Sequence, residues 1–248
     1  MIKYLFVIAL LVSGPLYVQA QELKAVNYQD ENQKLSGLVT SNANQKLPGV
    51  LILPAWKGID QEAKTAALAL EKQGYIALIA DIYGEGNIPE DNEAASKIAS
   101  QYKNDFQTYQ HRIALALAEL ERTGANGQKI AVIGYCFGGT GTLEVARANM
   151  KVDGIVCIHG GYAKDAAREN KPIRTKVLVE HAADDKSISK EDYDNLVQEL
   201  KDGKADWQII TYANSEHTFT DPASKDYNPI MAQRAWNHTL LFLKEILN

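Results

Sequence analysis

The sequence predicts an α/β protein with a single domain, in which a mostly parallel sheet is covered by helices on both faces. Three observations support this prediction. Apolar segments of strand length alternate with amphipathic segments of helix length from about residue 48 onwards. Most of the apolar segments are continuous, which is typical of strands that are buried on both faces. The 248 residues also contain no internal repeat, low-complexity tract or long linker that would divide them.

The predicted elements of the N-terminal half follow in order. The segment LKAVNYQDENQKLSGLVT predicts an antiparallel hairpin with its turn at QDENQ. GVLILPAW and YIALIAD predict buried strands, and the helix DQEAKTAALALEKQG lies between them. Asp60 is its expected N-cap, and Gly74 lies just past its end. A long helical stretch then runs from about Asp91 to Thr123, and its loop-like start, IPEDNEAAS, is compatible with a broken helix.

The C-terminal half continues the alternation. KIAVIGY, KVDGIVCIHG, TKVLVEHA and DWQIITYA predict strands. GGTGTLEVARAN and SKEDYDNLVQELKDG predict helices, the second with Ser189 as N-cap. GYAKDAARENKP predicts a loop or a short helix. NPIMAQRAWNHTLLFLKEILN closes the chain as an amphipathic helix.

The first 20 residues have the pattern of a secretory signal peptide. Lys3 supplies the positive start, YLFVIALLV the apolar body and VQA a small-residue cleavage site. The apolar part, from Tyr4 to Val18, has 15 residues, fewer than the roughly 20 that a membrane span needs. We therefore expect residues 1–20 to be cleaved from an exported protein, periplasmic or secreted, with residues 21–248 forming one domain. An uncleaved membrane anchor is the alternative.

Net charge and cysteine content narrow the range of possible functions. The formal net charge is -5, and it becomes -6 when Lys3 is removed, so we expect no nucleic-acid partner. Two cysteines could pair in an oxidising compartment. Cys157 lies within the apolar strand GIVCIHGG, where a cysteine behaves as a small hydrophobe. We interpret it as a core residue, which leaves Cys136 as a free thiol.

Cys136 lies where a strand should end and a helix should begin. GYCFGG, at 134–139, fits the G-x-S-x-G nucleophile elbow with cysteine in place of serine. The sharp turn leaves no room for side chains at Gly134 and Gly138. The nucleophile projects above the sheet at a helix N-terminus, where the dipole and the free N–H groups favour a thiolate.

An elbow nucleophile requires an acid and then a histidine later in the chain. His217, in YANSEHTFTDP, follows the last predicted strand and has the expected position of the histidine. The acid should follow TKVLVEHA, where Asp184 and Asp185 both qualify. His159 and His181 lie at or near strand ends and are interpreted as bystanders.

Five segments together resemble the dienelactone hydrolase family of α/β-hydrolases: LPAWKGID, ADIYGEG, GYCFGG, EHAADDKSIS and YANSEHTF. The resemblance extends from about Val50 to the C-terminus. It implies that the acid is Asp185, because the family's acid directly precedes a segment like KSIS. It also implies that the backbone N–H groups of Trp56 and Phe137 form the oxyanion hole. No spacing of metal ligands occurs, and we expect neither a metal nor another cofactor.

Three positions depart from the dienelactone-cleaving members of the family. Those members carry a glutamate where this chain has Ala55. They also hold a substrate carboxylate with two arginines, where this chain has Glu85 and Asp221. Two cations have thus become two anions, which would repel a substrate carboxylate. The resemblance therefore implies the fold and the trio, but not a true carboxymethylenebutenolidase.

Aromatic residues occur on or beside the same loops. Each could be a core residue, but as a set they predict an apolar pocket that binds a neutral or cationic small molecule. The predicted pocket residues are Tyr83, Glu85, Tyr162, Phe219 and Asp221.

These observations predict an exported hydrolase that cleaves activated esters, enol lactones or related acyl compounds. The reaction would use a Cys-His-Asp triad and a covalent thioacyl-enzyme. A non-catalytic binding protein that retains the hydrolase fold is the alternative. We expect no membrane partner after signal cleavage and favour a monomer.

Overall fold

A computed structural model describes residues 22–248, so the predicted signal peptide lies outside the described residues. Eight strands form one sheet. The strands are β1 (Leu23–Asp30), β2 (Gln33–Thr40), β3 (Pro48–Leu53), β4 (Ile76–Ile79), β5 (Asn126–Tyr135), β6 (Gly154–Ile158), β7 (Lys176–Ala182) and β8 (Trp207–Tyr212). The helices are α1 (Gln61–Lys72), α2 (Asn92–Asn104), α3 (Phe106–Arg122), α4 (Phe137–Arg147), α5 (Lys190–Asp202) and α6 (Pro229–Leu247).

The strand order in the sheet is β1-β2-β4-β3-β5-β6-β7-β8. β1 and β2 form an antiparallel hairpin, and β2 also pairs antiparallel with β4. All other neighbours, from β4 to β8, are parallel. The prediction of a mostly parallel sheet with an N-terminal hairpin is therefore confirmed. The carboxyl ends of the parallel strands meet at one rim, which is where ligands bind in such sheets.

The continuous apolar strands contribute side chains to two separate cores. In β3, Leu51 and Leu53 pack on the face covered by α2, α3, α4 and α5. Their neighbours Val50 and Ile52 pack on the opposite face, against α1 and α6. Successive residues of a strand point to opposite faces, so a strand with helices on both sides must be apolar throughout.

The helix boundaries follow from side-chain caps. Asp60 caps α1 by accepting a hydrogen bond from the Ala63 N–H, as predicted. The long helical stretch is broken at Asp105, which ends α2 and caps α3 by accepting from the Thr108 N–H. Ser189 and Asp192 form a capping box at the start of α5. The segment GYAKDAARENKP forms a loop.

The C-terminal helix α6 packs its apolar residues Leu243 and Leu247 into the core beside α1. Within residues 22–248, no helix is both long enough and apolar enough to span a membrane.

The turn from β5 to α4 is tightly packed. A Cβ added at Gly134 would lie 2.3 Å from the carbonyl oxygen of Gly138. One added at Gly138 would lie 2.0 Å from the carbonyl oxygen of Leu53, at the end of β3. Both distances are far below van der Waals contact with backbone atoms that cannot move aside. Gly134 and Gly138 must therefore be glycines, because β5, α4 and β3 approach each other closely at these positions.

We predict that Gly138→Ala lowers the free energy of unfolding by about 1–3 kcal/mol or more, because the methyl group forces α4 away from β3. Chemical denaturation measures this change. Gly74→Ala is the matched control, since Gly74 has a positive φ of 85° but no atom within 4 Å of an added Cβ. Its cost should be limited to about 1–2 kcal/mol of backbone strain. Wild-type stability in Gly138→Ala would contradict the packing account.

Candidate active site

Cys136 lies between β5 and α4 in a backbone conformation that is rare for any residue other than glycine. Its φ is 52° and its ψ is -111°. The Cys136 N–H donates to the carbonyl oxygen of Ile158 at 3.1 Å, which ties the turn to the end of β6. Cys136 is partly exposed, and its side chain makes no capping hydrogen bond to α4. A strained residue that presents a nucleophilic atom at a helix N-terminus is typical of a functional site.

The structure brings three predicted residues into one hydrogen-bonded row. His217 Nε2 lies 3.1 Å from Cys136 Sγ, and His217 Nδ1 lies 2.7 Å from Asp185 Oδ2. The three residues follow β5, β7 and β8, whose carboxyl ends share one rim of the sheet. Asp184, the alternative acid, is exposed, and its N–H donates to the carbonyl oxygen of Ser215. Of the two candidates, Asp185 is the one in contact with the imidazole.

Ser187 joins this row and was not identified from the sequence. Its hydroxyl donates to Asp185 Oδ1 at 2.6 Å, and its N–H donates to the same oxygen at 2.9 Å. The hydroxyl oxygen also lies 3.2 Å from His217 Nδ1. The signal was present in the sequence, because a serine two residues after an aspartate often forms such a turn. With one carboxylate oxygen bound by Ser187, the other is held in position for His217.

These contacts shift the pKa values of His217 and Asp185 in opposite directions. Burial alone would lower the pKa of His217, but its hydrogen bonds to Asp185 and Cys136 outweigh burial and raise this pKa to about 10. Burial would raise the pKa of Asp185, but hydrogen bonds from His217 and Ser187 lower it to about 2. The raised pKa means that the protonated imidazole stabilises the fold fully below the ordinary histidine pKa. This contribution is lost as the pH rises through about 10.

A second histidine, His159, contacts the backbone of the turn at Cys136. His159 is buried, and its Nδ1 accepts a hydrogen bond from the Cys136 N–H at 3.2 Å. Because Nδ1 accepts, the proton lies on Nε2, which donates to Thr220 Oγ1 at 2.7 Å. Thr220 donates in turn to Glu62 Oε1 at 2.6 Å. Burial, together with the charge of His217, lowers the pKa of His159 to about 3, so this imidazole is neutral.

The two peptide groups predicted to bind an oxyanion are held by their carbonyl oxygens. The Ala55 carbonyl accepts from the Gly58 N–H at 3.0 Å, which fixes the peptide that carries the Trp56 N–H. The Cys136 carbonyl accepts from the Thr140 N–H at 3.1 Å, which fixes the peptide that carries the Phe137 N–H. In a trans peptide the N–H points opposite to the carbonyl. Both donors therefore point away from the hydrogen-bonded turns that hold them.

Buried aromatic residues lie beneath these peptides. The Tyr83 hydroxyl donates to the Trp56 carbonyl oxygen at 2.9 Å, and the Tyr83 ring contacts Phe137. Tyr109 stacks on Phe137 with ring centroids 4.6 Å apart and donates to its carbonyl oxygen. Tyr162 is buried, and its hydroxyl lies 3.0 Å from His181 Nδ1. The rings of Tyr83, Tyr109 and Phe137 thus form one cluster, whereas Tyr162 packs against His181 and Tyr193.

The other predicted pocket residues have different surroundings. Phe219 is fully buried and packs against Tyr212 and His159. Glu85 lines a surface cavity beside β1. Asp221 lines a separate cavity between α1 and α6. The two acidic residues thus border different cavities, and their action on a substrate at Cys136 stays a prediction.

A cysteine after β5, an aspartate after β7 and a histidine after β8, on a mostly parallel sheet, have the arrangement of an α/β-hydrolase. Residues 35–247 match the profile of the dienelactone hydrolase family. The chain belongs to this family, and it is therefore an ester or lactone hydrolase.

Individual relatives agree with this assignment. A Bradyrhizobium sp protein named "Probable 2-oxo-3-(5-oxofuran-2-ylidene)propanoate lactonase" is 27% identical, over 85% of this chain and 89% of its own. The crystal structure of a dienelactone hydrolase-like promiscuous phosphotriesterase from metagenomic libraries is 30% identical. It has a TM-score of 0.86 and is matched over 92% of this chain and 100% of its own. The Pyrococcus horikoshii acylaminoacyl peptidase, 13% identical with a TM-score of 0.73, covers 93% of this chain and shares the fold over 42% of its own.

We predict that Asp185→Asn lowers the pKa of His217 by about 1–3 pH units, because the variant removes the adjacent negative charge. NMR titration of the His217 ring resonances measures this change. Asp184→Asn is the matched control: it removes a neighbouring charge that is exposed to solvent, and it should leave the titration of His217 unchanged. Equal shifts in the two variants would show that the carboxylate of Asp185 does not bind the imidazole.

Proposed function

We propose that Cys136, His217 and Asp185 act as a catalytic triad that cleaves activated esters and lactones through a thioacyl-enzyme. The observation that carries this proposal is the contact between His217 Nε2 and Cys136 Sγ, at 3.1 Å, beside a helix N-terminus. It is supported by family membership and by the partial exposure of Cys136. The other cysteine, Cys157, is fully buried, and burial raises its pKa to about 12, so it is unsuited to nucleophilic attack.

In the first half of the reaction, His217 Nε2 takes the proton of the Cys136 thiol, and the thiolate sulfur attacks the substrate carbonyl carbon. A C–S bond forms, and the carbonyl π electrons move to oxygen. When the tetrahedral intermediate collapses, the C–O bond breaks, and His217 gives its proton to the leaving oxygen. Asp185 stabilises the imidazolium and holds Nδ1, as the 2.7 Å contact allows.

In the second half, His217 removes a proton from water, and the water oxygen attacks the thioester carbonyl. The C–S bond breaks, the acid product leaves, and the sulfur returns to its initial state. In both halves, negative charge develops on the carbonyl oxygen. The N–H groups of Trp56 and Phe137 would donate to this oxygen, and each such donor contributes about 3 kcal/mol in comparable sites.

A sulfur nucleophile restricts the leaving group. A free thiol has a pKa of about 8.5, far below that of an alkyl alcohol. Thiolate therefore leaves the tetrahedral intermediate more readily than alkoxide does, and attack on a simple alkyl ester reverts. Enolates, phenolates and thiolates leave more easily, so enol lactones, aryl esters and thioesters are the favoured substrate classes.

We also propose that the protein acts outside the cytoplasm, after removal of residues 1–20. The support is the signal-like pattern of those residues, with Lys3 before a short apolar body. Cell fractionation followed by mass determination of the mature N-terminus tests this: an intact N-terminus in the cytoplasmic fraction would contradict it.

A phosphotriester is a second candidate substrate. The observation that favours it is the promiscuous phosphotriesterase with 30% identity and a TM-score of 0.86. Diethyl p-nitrophenyl phosphate carries the same stabilised leaving group as p-nitrophenyl acetate. Release of p-nitrophenolate from this phosphate, and its loss in Cys136→Ala, would support a common nucleophile.

We predict that the enzyme hydrolyses p-nitrophenyl acetate at least about 100-fold faster than ethyl acetate, measured as kcat/KM. The reason is the leaving-group restriction of a sulfur nucleophile. Intact mass spectrometry after rapid mixing should show one acetyl group on Cys136. Equal turnover of the two esters would contradict the mechanism.

We predict that Cys136→Ala lowers kcat/KM for p-nitrophenyl acetate by about 1,000-fold or more, since the variant lacks the nucleophile. Cys157→Ala is the matched control, because it removes the other thiol while leaving the row at the rim intact. That variant should retain activity, even if its buried cavity lowers stability. An active Cys136→Ala enzyme would exclude Cys136 as the nucleophile.

A further inference from the structure

A cavity of about 500 Å³ lies between α1, α6 and one face of the sheet, apart from the row at Cys136. Neither Cys136, Asp185 nor His217 lines it. Glu62, which lines the cavity, is linked to the Cys136 turn by a chain of hydrogen bonds through Thr220 and His159. This volume lies within the range of small-molecule sites in proteins. Its acidic and aromatic lining residues are Glu62, Tyr135, Glu180, Asp221, Tyr227 and Trp236.

The cavity is acidic. Three of its described lining residues are carboxylic acids: Glu62 from α1, Glu180 from β7 and Asp221 from the loop before α6. No lysine, arginine or histidine is among the described residues that line it. The acids thus have no cationic side chain in the cavity to balance them.

Glu180 provides the second, independent observation. Glu180 is completely buried, and its Oε1 accepts a hydrogen bond from Thr239 on α6 at 2.9 Å. Its other oxygen, Oε2, is buried and has no hydrogen-bond partner among the described residues. A buried, unpartnered carboxyl oxygen is costly, and native proteins usually provide a donor for it. Glu180 is among the residues that line the cavity, so a ligand bound there can supply that donor.

The titration of the acids is consistent with a cationic ligand. Burial raises the pKa of Glu180 to about 8. Burial also raises the pKa of Glu62 to about 8, with added repulsion from Asp60 and Asp221, although Thr220 opposes the shift. Tyr135 and Tyr212, which lie near Glu180, stay neutral because burial raises their pKa values. Near neutral pH Glu62 and Glu180 therefore hold protons, which a cation would displace.

Apolar and aromatic residues form much of the remaining wall, beside the uncharged polar residues Gln61, Thr65, Thr220, Gln233 and Thr239. Trp236 of α6, Tyr227 of the preceding loop and Tyr135 at the end of β5 line the cavity together with Pro222 and Pro229. Aromatic faces attract ammonium groups and also pack against an apolar body. An inorganic cation is disfavoured, because no group of three acidic, histidine or cysteine residues within the described chain is arranged to hold a metal ion.

We propose that this cavity is a second ligand site that binds a small organic cation, a primary ammonium group carried on an aromatic or apolar body. The ammonium group donates to Glu180 Oε2 and lies near Glu62, while the apolar body packs against Trp236. The site is distinct from Cys136, and its occupation does not depend on the proposed hydrolysis.

Isothermal titration calorimetry with the mature protein tests the proposal, using benzylammonium chloride as the probe and benzyl alcohol as the neutral comparison. Benzylammonium should bind at least about 10-fold more tightly than benzyl alcohol. Binding should release protons, measured in buffers of different ionisation enthalpy, and should tighten between about pH 6 and pH 8 as the acids ionise. Absence of binding at millimolar concentration, or equal affinity for the alcohol, would overturn the proposal.

The variant Glu180→Gln tests whether Glu180 is the residue that binds the ammonium group. Glutamine keeps an oxygen that can accept from Thr239 and preserves the side-chain volume, but it removes the negative charge. Affinity for benzylammonium should fall at least about 10-fold, while hydrolysis of p-nitrophenyl acetate stays unchanged. Glu93→Gln, at an exposed site on α2, is the matched control and should bind as the wild type does. Wild-type affinity in Glu180→Gln would also overturn the proposal.

Discussion

The close approach of three backbone segments, at the end of β3, the end of β5 and the start of α4, is the constraint on which the rest of the site depends. Gly134 and Gly138 have no room for side chains, and Cys136 between them has a φ of 52°. This geometry directs the thiol out of the sheet at the N-terminus of α4. It also brings the peptide before Phe137 close to the loop that carries Trp56, because Gly138 packs directly on Leu53.

Two histidines near this turn show how position decides protonation. The rings of His159 and His217 are only 5.4 Å apart. His159 is buried without a carboxylate partner in contact, and its pKa falls to about 3. His217 contacts Asp185 and Cys136, and its pKa rises to about 10. The neutral ring of His159 can accept a hydrogen bond from the Cys136 N–H and stabilise the turn, whereas the ring of His217 can carry the proton that the proposed acyl transfer requires.

Strand and helix patterns predicted the fold, because continuous apolar runs such as VLIL occur where a sheet is buried on both faces. The order of Cys136, Asp185 and His217 along the chain predicted which loops would meet at the rim. The choice of Asp185 over Asp184 required the family resemblance. Ser187 and the hydrogen bond to His159 went unpredicted because they depend on side-chain direction at loop ends. The surroundings of Glu85 and Asp221 also went unpredicted for this reason, because the loops place these two residues at different cavities.

The rate at which iodoacetamide alkylates Cys136 near pH 7 tests the central claim, that the imidazole of His217 activates this sulfur. The same reaction in His217→Gln provides the comparison, with peptide mapping to separate Cys136 from the buried Cys157. The account predicts that the wild-type thiol reacts at least about 10-fold faster than the thiol of the variant, because only the wild type holds the sulfur against a protonatable ring. Equal rates in the two proteins would contradict it.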